Sequence, residues 1–224
     1  RKQGILMDDF FHEQMTHLQA LAPTHVASGL ALDLLYHHTT KLGTSGARHI
    51  QELLDRYADR QEIIAQLVDQ CKGLYLLTDA GIDTTSLAHD TLAPLVVGEY
   101  RHSDKPAQRG SIILENKLIA YQQNPAEVID IADLKVVEAG ANGMRLWIDE
   151  ERELIEKSQA RRKRLERNKK RIRRLGILAV LLIASTAVFA FFKMTEAETQ
   201  KELALKEKEN TEIEKVKAEQ ERIK

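Results

Sequence analysis

The stretch SLAHDTLAP sets a histidine beside an aspartate, His89 and Asp90, where an apolar run gives way to a helical pattern. An imidazole in such a place can donate a hydrogen bond to an anion or change charge near neutral pH. The aspartate stands just ahead of 91–100, where its carboxylate would accept bonds from the free N–H groups that open a helix. A chemical role and a structural role therefore compete for the pair, the structural one having His89 only pack or bond to backbone.

Other constellations offer less chemistry. No Gly-rich phosphate loop of the Walker type occurs, so this chain alone carries no nucleotide-hydrolysing motif and no catalytic residue is assigned. His37 and His38 are adjacent and point to different helix faces, while His12 and His17 lie five apart. With Cys71 the sole cysteine, an internal disulfide is excluded and a closed zinc site is not expected. DAGIDTTSLAHD puts Asp79, Asp83 and Asp90 at positions 1, 5 and 12 of a calcium loop. Thr84 then stands where the obligatory glycine belongs and Asp90 where the bidentate glutamate belongs, so the segment is a turn. Trp147 reads as a core anchor.

The elements that would position His89 and Asp90 follow from apolar spacing. Residues 1–22 have helical periodicity and read as the end of a preceding helical region, broken at Pro23. Amphipathic helices are predicted over 25–38, where Val26, Leu30 and Leu34 form a row, and over 47–57. Asp59 and Glu62 have the spacing of a variant capping box opening a helix over 60–71 with Ile63, Ile64, Leu67, Val68 and Cys71 inward. Gly73 reads as its C-terminal glycine. LYLLT and TTSLA flank DAGID as two strands joined by a tight turn. Three helices and a hairpin are the plan of a winged helix, assigned to 23–100. RHSDKPAQRG reads as a polar linker, and 101–148 as that linker plus a small helical module with patches at 112–121 and 129–138. From Asp149 onward no proline interrupts a helix.

Charge is distributed unevenly along that last segment. The net charge of −1 gives no global attraction to nucleic acid. Yet the juxtamembrane part of the helix, 149–174, holds ten Lys/Arg against one acid between Arg161 and Arg174. Leu175–Phe192 follows with 18 uncharged residues, roughly 27 Å of helix at 1.5 Å per residue, close to a bilayer's hydrocarbon thickness. The cations next to it favour anionic headgroups and the cytoplasmic side. Residues 193–224, with eight basic and nine acidic residues, form a solvated helical stalk with weak coiled-coil character. The fold class expected is mainly α: a winged-helix-like domain with a small β-hairpin, a helical module, and a long helix with one transmembrane span and a charged tail. No signal peptide is evident, and an opening arginine in place of methionine reads as a piece of a longer protein.

The strings LDLLYHHTT, LLDRY, LVDQCKGLYLLT and SLAHDTLAPLV resemble the winged-helix region that follows the NTPase core in bacterial STAND-class signalling ATPases. IADLKVVEAG and LWIDEERELIEKS are similar to the helical module those proteins place before a basic, hydrophobic stalk. The likeness spans roughly 25–195, and Ala-His-Asp with its hairpin is its most specific part. It implies that His89 senses the β-phosphate of ADP and that Asp90 caps the helix and orients the loop; Ala88 stands where methionine is common. It also implies ATP or ADP bound mainly by an upstream NTPase core, homo-oligomerisation on activation, and a part in bacterial signal transduction or antiviral defence. The location expected is the inner membrane, single-pass, with the N-terminal part cytoplasmic and anionic lipid at Arg161–Arg174. Two other classes remain: a membrane-anchored winged-helix transcription regulator, and a single-span coiled-coil scaffold without a nucleotide role. The cations a DNA reader needs are missing from 60–71, so no nucleic acid is expected.

Overall fold

The computed structural model describes residues 2–222 and is mainly helical, about 75% helix, with a small three-stranded sheet. It divides into two compact units, residues 1–162 and 163–224.

The first unit opens with α1 (Lys2–Leu21), α2 (Pro23–Ser28) and α3 (Leu30–His37). Phe11 and Leu18 of α1 are buried in one core with α3, so the break at Pro23 separates two helices of a shared core rather than two regions. The single helix expected over 25–38 is split at Gly29, which takes φ 93°, a left-handed conformation that costs glycine little. Close packing adds a second reason: a Cβ there would strike the side chain of Gln108, whose amide donates to the Gly29 carbonyl at 2.9 Å. Leu30, Ala31, Leu32, Leu34 and Leu35 are all buried, so α3 is a central helix, enclosed on every side.

A two-residue strand β1 (Arg48–His49) precedes α4 (Ile50–Arg56) and α5 (Gln61–Gly73). The expected capping box at Asp59 does not form. Arg60 is the cap residue, and the Asp59 carboxylate pairs with the Arg60 guanidinium at 2.6 Å instead. Gly73 is likewise not the left-handed residue. Leu76 N–H reaches Cys71 O at 2.9 Å and Tyr75 N–H reaches Lys72 O at 3.0 Å, a Schellman closure that places Tyr75 at φ 54°.

β2 (Leu77–Gly81) and β3 (Thr84–Leu87) form a hairpin as expected. Its first strand starts later than LYLLT, because residues 74–76 close α5, and DAG belongs to the strand, leaving Ile82 and Asp83 as the turn. β3 is central in the order β1-β3-β2, with all pairs antiparallel. α6 (Leu92–His102) and α7 (Pro106–Gln123) are separated by only three residues, so the linker expected over 101–110 is mostly helix. Its small residues are there for contact. A Cβ on Gly110 would meet Met144 and Val137, and Ala107 is fully buried. Lys105 Nζ donates to Val26 O at 2.6 Å and pins the turn to the first core.

α8 (Ile131–Gly140) is capped by the Asp130 carboxylate, which accepts from the N–H groups of Ala132 and Asp133. A 3₁₀ turn (Ala141–Gly143) leads to α9 (Asp149–Arg222). α7, α8, Met144 and the first turns of α9, through Leu154 and Ile155, enclose a second core, against which Trp147 packs as expected. The 18 uncharged residues 175–192 lie within α9. They make it long and apolar enough to cross a membrane, and none of their side chains is buried.

Candidate functional site

His89 and Asp90 lie in the turn joining β3 to α6, and both side chains are exposed. Backbone bonds shape the turn. Ala88 N–H bonds Leu76 O at 3.1 Å, His89 O accepts from Leu92 N–H at 3.0 Å, and Asp90 O accepts from Ala93 N–H at 3.1 Å. Thr91, at φ −68° and ψ −15°, is the cap residue, with no side-chain bond. The cap expected from the Asp90 carboxylate is therefore not made. A side-chain cap needs an extended residue from which an oxygen can fold back over the next N–H groups. Here the chain enters α6 already coiled, and the carbonyls of 89 and 90 make the bonds. Pro94 sits in the first turn, where its missing N–H leaves no intrahelical bond unmade. The hairpin thus presents an imidazole and a carboxylate side by side to solvent, at the start of an 11-residue helix.

The other histidines divide as their adjacency implied. His38 is fully buried; its Nδ1–H donates to Leu34 O at 2.9 Å, so Nε2 accepts from the Thr85 hydroxyl at 3.0 Å. Burial depresses its pKa to about 4, and the ring is neutral at pH 7. The bond ties α3 to the central strand below the His89 turn. His37 points elsewhere, and its Nε2–H donates to Glu52 Oε1 at 3.2 Å. No group of His, Cys, Asp and Glu side chains among the described residues could hold a metal ion. In the candidate calcium loop Asp79 pairs with Lys72, and Asp83 takes the left-handed turn position at φ 49°. Cys71 is fully buried and its thiol is pushed up to about 12 by desolvation, so it is no nucleophile.

A buried, fully bonded carboxylate was missed in the sequence. Asp33 of α3 is 2% exposed. Its Oδ2 accepts from Tyr57 OH at 2.7 Å and from the Arg145 N–H at 3.0 Å, and its Oδ1 accepts from Tyr100 OH at 3.3 Å. Burial raises the carboxyl's pKa, against which the Tyr57 bond and the Arg56 charge pull it down. Arg145 in turn forks onto Glu151 at 2.6 and 2.7 Å, and Glu151 Oε2 accepts from Ile148 N–H at 3.0 Å. One chain of bonds thus runs from the first core through α3 and α6 to the start of α9. The visible signal was an acid inside the otherwise apolar string LALDLLY, a residue type rarely buried without partners.

No protein family, curated protein or solved structure matches this chain. Its chemistry is read from its own residues.

Proposed function

We propose that this chain is the regulatory and membrane-anchoring part of a STAND-type ATPase switch. In this reading residues 23–100 are a winged helix that closes over a nucleotide held by an upstream NTPase core. The observation that carries it is the exposed His89–Asp90 turn, which sits at the end of a three-stranded antiparallel hairpin sheet and at the start of a helix. A helix N-terminus favours an anion, and an exposed imidazole beside it donates to a phosphate without first being freed from the core. The Asp33–Arg145–Glu151 chain supplies a route by which movement of the winged helix reaches α9.

The membrane part rests on α9. Apolar side chains from Leu175 to Phe192 are about 54–66% exposed, a surface that a bilayer would cover. Arg162 is held by Glu138 within the helical module, while the cations from Arg164 to Arg174 are exposed and suited to anionic headgroups on the cytoplasmic side. This reading places the protein in the inner membrane as a single-pass chain that oligomerises on activation. It does not favour DNA. The exposed face of α5 shows Gln61, Glu62, Gln66 and Asp69, and its Lys72 is paired with Asp79.

The test uses the whole reading frame that contains this chain, purified with ADP. His89→Ala is expected to weaken ADP binding about tenfold, the loss of one bond to a charged acceptor. Asp90→Asn, whose parent carboxylate makes no cap, is expected to change it less. Equal ADP affinity in the parent and His89→Ala proteins would remove the sensor role.

A further inference from the structure

Beside the Asp33 junction, on the surface of the first unit, lies a cleft of about 500 Å³ between α4 and the segment 145–152. Its charges are unevenly matched. Arg145 is forked onto Glu151, and Arg152 pairs with Asp149 at 3.2 Å. Arg56 has no carboxylate within ion-pair distance among the described residues, and its Nε is buried without an acceptor. Part of its field falls on Asp33, whose oxygens are already occupied by three donors.

The walls narrow the choice of ligand. Leu146, Trp147 and Ile148 supply an apolar side. Glu52 and Asp55 stand on the opposite lining, so a dianion would meet two like charges against the one guanidinium of the lining that forms no ion pair among the described residues. His37, also lining the cleft, adds no charge near neutral pH, since burial and then the Arg56 and Arg48 guanidinium groups push its pKa down to about 3. A monoanion with a small apolar body fits this balance. A guanidinium pairs a carboxylate through two parallel N–H bonds, which a point cation cannot do.

We infer that this cleft binds a small monocarboxylate with an apolar body, its carboxylate on Arg56 and its apolar part against Trp147. The guanidinium leaves Nε unmatched while its carbon lies 5.9 Å from the Tyr57 ring centroid, so an entering carboxylate that reaches Nε adds a bond where none is made. The site is separate from the His89 turn, and it does not depend on the nucleotide-switch reading. Its position beside the 145–151 segment would let an occupant bias the connection between the two cores.

Trp147 is the only tryptophan in the chain and lines the cleft, so its fluorescence responds to an occupant under folding conditions. The full chain in zwitterionic lipid discs is titrated with 4-methylpentanoate, with the isosteric alcohol 4-methylpentanol and with inorganic phosphate, at constant ionic strength. A saturable change in Trp147 emission is expected with the carboxylate alone. Arg56→Gln is expected to weaken it about tenfold. Asp55→Asn, an exposed change that removes a like charge from the lining, is expected to tighten it about threefold and guards against misfolding of the Arg56 variant. No saturable response in the parent chain, an equal response to phosphate or to the alcohol, or unaltered affinity in either variant would each overturn the assignment.

Discussion

Replacing Asp33 by leucine and by asparagine separates two accounts of how the first unit holds together. In one, the carboxylate matters as a geometric acceptor for three donors. In the other, it matters as a negative charge facing Arg56 and Arg145. Leucine has nearly the right volume but leaves Tyr57 OH, Tyr100 OH and the Arg145 N–H without an acceptor. Each buried unsatisfied donor costs about 1–3 kcal/mol, and release from desolvating a carboxylate offsets part of the sum. The expected net loss is about 3 kcal/mol. Asparagine can keep every bond by turning its oxygen toward Tyr57 and Arg145 and its amide toward the Tyr100 oxygen, because a hydroxyl can donate or accept. The expected loss there is under about 1 kcal/mol. Urea unfolding followed by Trp147 emission reads the junction directly, since Trp147 stands two residues beyond Arg145. At a slope near 2 kcal/mol per molar, the leucine variant should shift the midpoint down by about 1.5 M. A leucine variant as stable as the parent would refute the junction. An asparagine variant as damaged as leucine would show that charge, not acceptor geometry, holds it.

Three further outcomes follow from particular residues. Below pH 6.5 the unfolded chain protonates His38 while the folded chain resists until about pH 4, so stability should fall by up to about 1.4 kcal/mol per pH unit through that window. Asp33, whose folded pKa is raised above its unfolded value of 3.8, acts in the opposite sense at the acid end, and His37, pushed down to about 3, adds a loss of the same sign as His38. Urea midpoints in an Asp33→Asn, His37→Gln background therefore isolate His38; a flat profile there would contradict the burial argument. Tyr75→Gly should raise thermal stability by about 1 kcal/mol, because an exposed tyrosine holds the left-handed position of the α5 closure; a loss would mean its ring does more than the backbone geometry implies. In lipid discs, hydrogen exchange at residues 178–189 should be far slower than at 196–206, and equal rates would argue against a crossing helix.

The parts of the fold legible in the sequence were those governed by local periodicity. The rows Val26–Leu30–Leu34 and Ile64–Leu67–Val68–Cys71, the hairpin around DAGID and the unbroken α9 all follow from spacing and turn residues. What escaped were features set by tertiary contact. Gly29 breaks a helix because Gln108, 79 residues away, needs its carbonyl and its space. The small residues of the supposed linker are placed by helix packing, and β1 is too short to show a period. At the His89 turn the sequence located the residues but not the cap, since Asp90's spacing is that of a cap while its backbone approach is not. Asp33 was legible as an anomaly in an apolar helix, yet its three donors come from positions 57, 100 and 145, which no local pattern connects.

The most direct test of the nucleotide-switch reading is to sequence the reading frame upstream of Arg1. The account predicts a Walker-type phosphate loop, followed by an acidic strand-end motif, a few hundred residues before His89. A frame that opens at a methionine within a few residues of Arg1 would contradict it, leaving the His89 turn as the entry to a helix in a membrane-tethered adaptor.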